Sequence, residues 1–115
     1  TKLPYQDSSF DIVLASGVIH HELDYQQSIS ELSRVATKYV LLHRLPIFET
    51  NSRSSYYKKT GYGVEMVETV FALSALSRVF LNLGLVIRYY WPGDLLDIKT
   101  PARWTTILLE TDRKR

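Results

Sequence analysis

Hydrophobic residues first gather in Phe10-Asp11-Ile12-Val13-Leu14-Ala15, a short run with almost no alternation, as expected of a parallel strand covered on both faces. Ahead of it, Leu3-Pro4-Tyr5-Gln6-Asp7-Ser8-Ser9 has the chemistry of tight polar bends, and Ser16-Gly17 closes it. From Asp24 the period lengthens. Tyr25, Ile29, Leu32 and Ala36 fall on one face of a helix, with Gln27, Ser30, Glu31 and Arg34 on the others. Asp24 and Gln27 form a capping box at its start. A second buried strand follows directly in Tyr39-Val40-Leu41-Leu42-His43-Arg44, and Pro46, which has no amide hydrogen, is expected to stop it. Strand, helix and strand together span what a right-handed crossover needs.

Residues 47–63 read as a long polar loop rich in serine and tyrosine. A helix through Leu73, Leu76, Val79, Phe80 and Leu83 comes next, with Gly84 as its left-handed C-terminal residue and Leu85 packing back. Strands at Leu85–Trp91 and Arg103–Glu110 finish the chain, separated by turns at Pro92-Gly93-Asp94 and Lys99-Thr100-Pro101. No helical pattern lies between them, so they are expected to pair antiparallel. The pattern predicts one α/β unit over residues 1–115. Its sheet has about four strands, two parallel and an antiparallel terminal pair, flanked by helices.

Composition narrows what such a unit does. At 115 residues there is room for one domain at most. The absence of cysteine excludes disulfides, iron–sulfur clusters and thiolate zinc sites. A net charge of +2, with the one basic cluster at Arg113-Lys114-Arg115, is no nucleic-acid footprint. No apolar run approaches the length of a membrane span and Thr1-Lys2-Leu3-Pro4 does not open a signal peptide, so a cytoplasmic protein without membrane contact is expected. The close glycine pair Gly61-Tyr62-Gly63 follows a polar loop, and Met66 stands where a third glycine would complete a dinucleotide fingerprint. A nucleophile elbow is absent too. Metal binding would need Glu22 or Asp24 to join His20 or His21, and neighbours in a turn seldom converge on one ion, so no metal is expected.

In open α/β sheets, ligands sit beyond the carboxyl ends of the parallel strands. His20 and His21 lie just past the first strand, and His43 and Arg44 end the second, so all four are expected at one sheet edge. The three imidazoles are candidates for acid–base work near neutral pH; the alternative is that they cap or pack under the following elements. Tyr56, Tyr57 and Tyr62, beside Arg53, Lys58 and Lys59, would suit a lid over a substrate carrying negative charge or hydroxyls, or would tuck against the domain as surface rings. Trp91 and Trp104 are assigned to sheet packing.

Leu3-Pro4-Tyr5-Gln6-Asp7-Ser8-Ser9-Phe10-Asp11-Ile12-Val13, followed by Ser16-Gly17-Val18-Ile19-His20-His21, resembles the middle of class I S-adenosylmethionine-dependent methyltransferases. In that family a Leu-Pro-Phe-x-Asp-x-Ser-Phe-Asp-x-Val stretch leads into the fourth strand. Ile29-Ser30-Glu31-Leu32-Ser33-Arg34-Val35 is similar to the family's Leu-x-Glu-Leu-x-Arg-Val helix. The resemblance implies a Rossmann-like half-domain, in which Leu3 lines the adenine pocket, Ser16 and Gly17 pass the methionine moiety, and His20 and His21 face the transfer site. His20 or His43 would take the acceptor's proton, and Arg44 and the loop tyrosines would contact substrate. His43-Arg44-Leu45-Pro46 resembles members that accompany glycan-assembly enzymes, which adds sugars to the small molecules expected as acceptors.

Two departures stand out. The family's Pro-Gly-Gly turn is replaced by Ala36-Thr37-Lys38, and the glycine-rich loop and ribose-binding acid of the amino half are not in this sequence. With Thr1 in place of a starting methionine, the chain is expected to be the carboxyl-terminal part of a longer enzyme that uses S-adenosylmethionine, inactive by itself. The alternative is a non-catalytic module that associates through the strand at Phe10–Ala15, for instance as a homodimer. A short-chain dehydrogenase is disfavoured because Tyr56 and Lys59 are one residue short of that family's spacing.

Overall fold

The computed structural model describes residues 2–50, 53–61, 63–97 and 100–112, except for the side chains at 59–61, 64 and 65. The elements run β1 (Phe10–Ser16), a 3-10 turn (Ile19–His21), α1 (Tyr25–Val35), β2 (Ala36–Phe48), β3 (Ser55–Gly61), β4 (Val64–Ala72), α2 (Leu73–Asn82), β5 (Leu85–Leu95) and β6 (Arg103–Thr111). They form one six-stranded sheet in the order β3-β4-β2-β6-β5, with β1 beside β2. The α/β class, the parallel β1–β2 pair and the antiparallel β5–β6 pair agree with the sequence.

The expectation of about four strands is corrected to six, because the segment 47–63 is not a loop. Its second half is β3, which pairs antiparallel with β4 from Ser55↔Val70 to Gly61↔Val64. The turn between them holds Gly63 at φ 74°, a conformation that glycine adopts without steric cost. Tyr56 and Tyr57 therefore lie on a strand, and a loop lid at these positions is ruled out; Tyr62 falls outside the described residues.

Pro46 does not stop β2 either. β1 pairs with β2 only as far as Ser16↔His43, and β4 joins the same edge from Ile47↔Phe71. Pro46 sits in the interval, just after a bulge between Leu42 and Leu45 where proline is tolerated. The long β2 is the spine: β1 and β4 share one of its edges and β6 takes the other.

Asp24 caps α1 by accepting a hydrogen bond from the Gln27 amide at 3.1 Å, and α1 passes into β2 with no intervening turn. Gly84, at φ 70°, terminates α2 as expected, and Leu85 is buried behind it. Ile29 of α1 and Leu76 and Phe80 of α2 pack with Val40, Leu42, Ile107 and Leu109 in one core on a single face of the sheet.

The opposite face is bare. Ile12 and Leu14 of β1 remain 61% and 60% exposed, and Tyr89 and Trp91 of β5 lie open beyond half-exposed Leu41 and Leu108. Cover on both faces of β1 is thus corrected: its unbroken apolar run has partners on the helix side alone. Mixed sheets of this class are stable when both faces are covered.

Candidate functional site

The first site begins with the chain's opening turn. Arg34 on α1 donates from Nη2 to the Leu3 carbonyl at 3.0 Å, and from Nη1 to the Tyr5 carbonyl at 2.8 Å and to Asp7 Oδ1 at 2.7 Å. Glu31 completes the bracket. Its Oε1 accepts the Leu3 amide at 2.8 Å, and its Oε2 accepts Arg34 Nε at 2.8 Å. The Arg34 hydrogen bond, followed by the Leu3 amide, holds the Glu31 carboxyl below its ordinary range, although burial opposes this. Glu31 and Asp7 in turn hold the Arg34 guanidinium firmly protonated. Two motifs some 25 residues apart are thereby one structural unit: the helix motif fixes the backbone of the turn motif.

The turn so held closes a groove of about 270 Å³ beyond the carboxyl end of β1, walled by Leu3, Leu14, Val18 and Ile19 with Ser16 and Glu31 at its polar edge. Gly17 stands at φ 65° with open space where a Cβ would go, and its amide donates to the His43 carbonyl at 2.9 Å. Leu3 and Ser16 thus line the same groove, while Gly17 is the next residue along the chain and does not line it. The apolar walls fit a flat ring, and the left-handed Gly17 leaves the strand end open to an extended ligand.

On the far side of the strand ends, Ser16 Oγ and His43 Nδ1 are 2.6 Å apart and exposed. His20 and His21 are not alike. His20 is buried, with its ring 3.9 Å from His21 and edge-on to Trp104 at 5.5 Å. His21 Nδ1 approaches the Val67 carbonyl of β4 at 3.2 Å. His43 is therefore the histidine of the three that is open to solvent beside the groove.

Arg44 occupies the β2 bulge at φ 62°, a left-handed conformation that costs a side-chain-bearing residue about 1–2 kcal/mol. Its guanidinium lies over the Trp104 ring, 4.9 Å from the centroid. Trp104, assigned to sheet packing on sequence grounds, also carries the Arg44 guanidinium on its ring. It divides a depression of about 290 Å³, which includes His43 and Arg44, from one of about 320 Å³, which includes Tyr57 and Glu68. The signal for the latter lay in the valine- and threonine-rich run Val64-Glu65-Met66-Val67-Glu68-Thr69-Val70 after a glycine pair, a composition that suits a strand leaving a turn. Tyr56 is exposed but lines neither of these depressions. Tyr90, on the core side of β5, is pushed up to about 12 by burial and then by Glu49, so it stays protonated and offers no base.

The sequence profile of the methyltransferase domain matches residues 1–42. No curated protein sequence matches the chain. Solved structures do. An S-adenosylmethionine-dependent methyltransferase from Methanosarcina mazei superposes with a TM-score of 0.69 at 16% identity, over 96% of this chain and 63% of that one. The 1,6-didemethyltoxoflavin-N1-methyltransferase of Burkholderia thailandensis, solved with 1,6-didemethyltoxoflavin and S-adenosylhomocysteine, gives 0.66 at 13% identity, over 94% and 47%. The chain thus spans about half to two thirds of the length of these structures.

Proposed function

We propose that this chain, whose residues 1–42 match the methyltransferase-domain profile and whose fold superposes on that of S-adenosylmethionine-dependent methyltransferases, is the carboxyl-terminal part of such an enzyme, acting on a small-molecule or sugar acceptor. The observation that carries this reading is the groove at the end of β1, where Leu3 and Ser16 line one wall under the Glu31–Arg34 bracket and Gly17 follows Ser16 in the chain. Leu3 and its apolar neighbours would hold the adenine. Ser16 and Gly17 would pass the methionine portion toward His43.

When bound, S-adenosylmethionine supplies a methyl group activated by its sulfonium and leaves as the thioether S-adenosylhomocysteine. The protein's part is placement and one proton. Ser16 Oγ, accepting from His43 Nδ1–H, keeps the Nε2 lone pair free, and that atom receives the proton of the acceptor hydroxyl or amine. Buried His20 lies edge-on to Trp104.

The bare face of the sheet supports the view that these residues form part of a larger domain, since Ile12, Leu14 and Tyr89 await cover. Calorimetry with S-adenosylhomocysteine tests the reading. The 115-residue chain should bind weakly or not at all, and the protein extended upstream of Thr1 should bind well. Failure of the longer protein to bind contradicts it.

The same exposed β1 favours a second reading, a non-catalytic module that pairs with another copy along this edge. Sedimentation over a range of concentrations separates the two, because a chain that stays monomeric when concentrated does not use β1 in this way.

A further inference from the structure

Within the acceptor side of that site, the depression of about 290 Å³ combines features that point to one class of ligand. Arg44 stands at its edge in a left-handed bulge that glycine would form without strain. The bulge sets the guanidinium over Trp104, 4.9 Å from the ring centroid. Arg44 forms no ion pair among the described residues, although Asp94 lines the same depression. Stacking covers the plane of a guanidinium while leaving its N–H edge free, and that edge matches the paired oxygens of a carboxylate or phosphate. Both tryptophans of the chain, Trp91 and Trp104, line this depression, and Trp91 is 51% exposed. His43 lines the same depression, and Asp94 adds an acceptor for a hydroxyl or amine.

We propose that this depression binds a planar aromatic acid as the methyl acceptor: the ring rests against the tryptophans, its carboxylate or phosphate meets Arg44, and the oxygen or nitrogen to be methylated lies beside His43. This deepens the methyltransferase reading and rests on it for the word acceptor, but the anion site itself is measurable without S-adenosylmethionine. The size of the depression suits one small ring with its substituents.

Because the chain's two tryptophans both line the site, their fluorescence reports on it directly. The probes are benzoate and phenyl phosphate, with benzamide and cyclohexanecarboxylate as the neutral and non-aromatic controls. Benzoate or phenyl phosphate should quench saturably, with each control about tenfold weaker or more. A preference for benzoate identifies a carboxylic acid as the ligand, and a preference for phenyl phosphate identifies a phosphorylated one.

Arg44→Gly removes the guanidinium and relieves the backbone, so a variant with an undiminished melting temperature should lose the preference for the anion. Arg44→Lys, which keeps charge without the flat stack, should retain part of it. Equal quenching by benzoate and benzamide, or a preference that survives Arg44→Gly, overturns the proposal. Anion binding that tracks Arg44 in a protein that ignores S-adenosylhomocysteine leaves the site standing and removes the methyltransferase reading; the reverse pattern does the opposite.

Discussion

Ile12→Thr separates a sheet face that is naturally open from one that awaits cover. Threonine suits a strand as well as isoleucine does, so the backbone of β1 is undisturbed. Full burial of an isoleucine side chain is worth about 1.5–3 kcal/mol, and with 61% of Ile12 exposed roughly 1–2 kcal/mol of that remains unrealised. In the 115-residue chain the substitution should therefore shift unfolding by no more than about 0.5 kcal/mol. In the protein extended upstream, where other elements are proposed to pack on this face, it should cost about 1–2 kcal/mol, a five- to thirtyfold change in the unfolding equilibrium.

Urea denaturation followed by circular dichroism measures both values. Leu109→Ala serves as the control: Leu109 is fully buried on the helix side, and its truncation should cost about 2–5 kcal/mol in either form. An Ile12→Thr that is neutral in both forms, beside a costly Leu109→Ala, would refute the idea that upstream sequence covers β1. A neutral effect on unfolding with weaker self-association of the short chain would transfer the face to a second copy.

Three further perturbations probe the parts of the site. Glu31, whose carboxyl is held below its ordinary value of 4.5, stabilises the fold above that value, and the contribution is lost as pH falls through the lowered pKa. Protection of the Leu3 amide against exchange should accordingly fall in acid, relative to its intrinsic rate, and Glu31→Gln should weaken it at neutral pH too; unchanged protection in the variant would mean that the bracket does not hold the turn. Gly84→Ala should destabilise by about 1–2 kcal/mol in thermal melts, because it combines a left-handed φ of 70° with a Cβ pressed on the Asp112 carboxylate, and a neutral result would contradict the cap geometry. Ser16→Ala, which frees His43 Nδ1, should lower kcat by about tenfold or more with KM for the acceptor little changed, because it disturbs the proton acceptor and leaves Arg44 in place. An effect confined to KM would remove His43 from that role.

The elements held by local chemistry were legible in the sequence. The Asp24 cap, the Gly84 terminus and the two helices follow from side chains within a turn of where they act. The groove proposed for the cofactor has a different origin: Leu3 and Glu31 each belong to a recognisable motif, and the hydrogen bond between them joins the motifs. What failed depended on distant neighbours. Pro46 reads as a strand stop only while the partners of β2 are unknown; the gap between β1 and β4 is what admits it.

The β3–β4 hairpin was obscured because Tyr56-Tyr57-Lys58-Lys59 looks like polar loop and its partner strand alternates only over Val64-Glu65-Met66. Trp104 was assigned to sheet packing because its contact with Arg44 depends on the bulge that brings the guanidinium over it, and no local pattern announces an arginine in the left-handed region. The unbroken run of β1 was read as cover on both faces, whereas it records what the strand is suited to and not what lies against it here.

The most direct test of the account is a map of amide chemical shifts on titrating S-adenosylhomocysteine into the protein extended upstream of Thr1. Saturable shifts centred on Leu3, Ser16 and Gly17 are predicted, with smaller ones at His43. Shifts that avoid these residues, or no shifts at millimolar ligand, would contradict it.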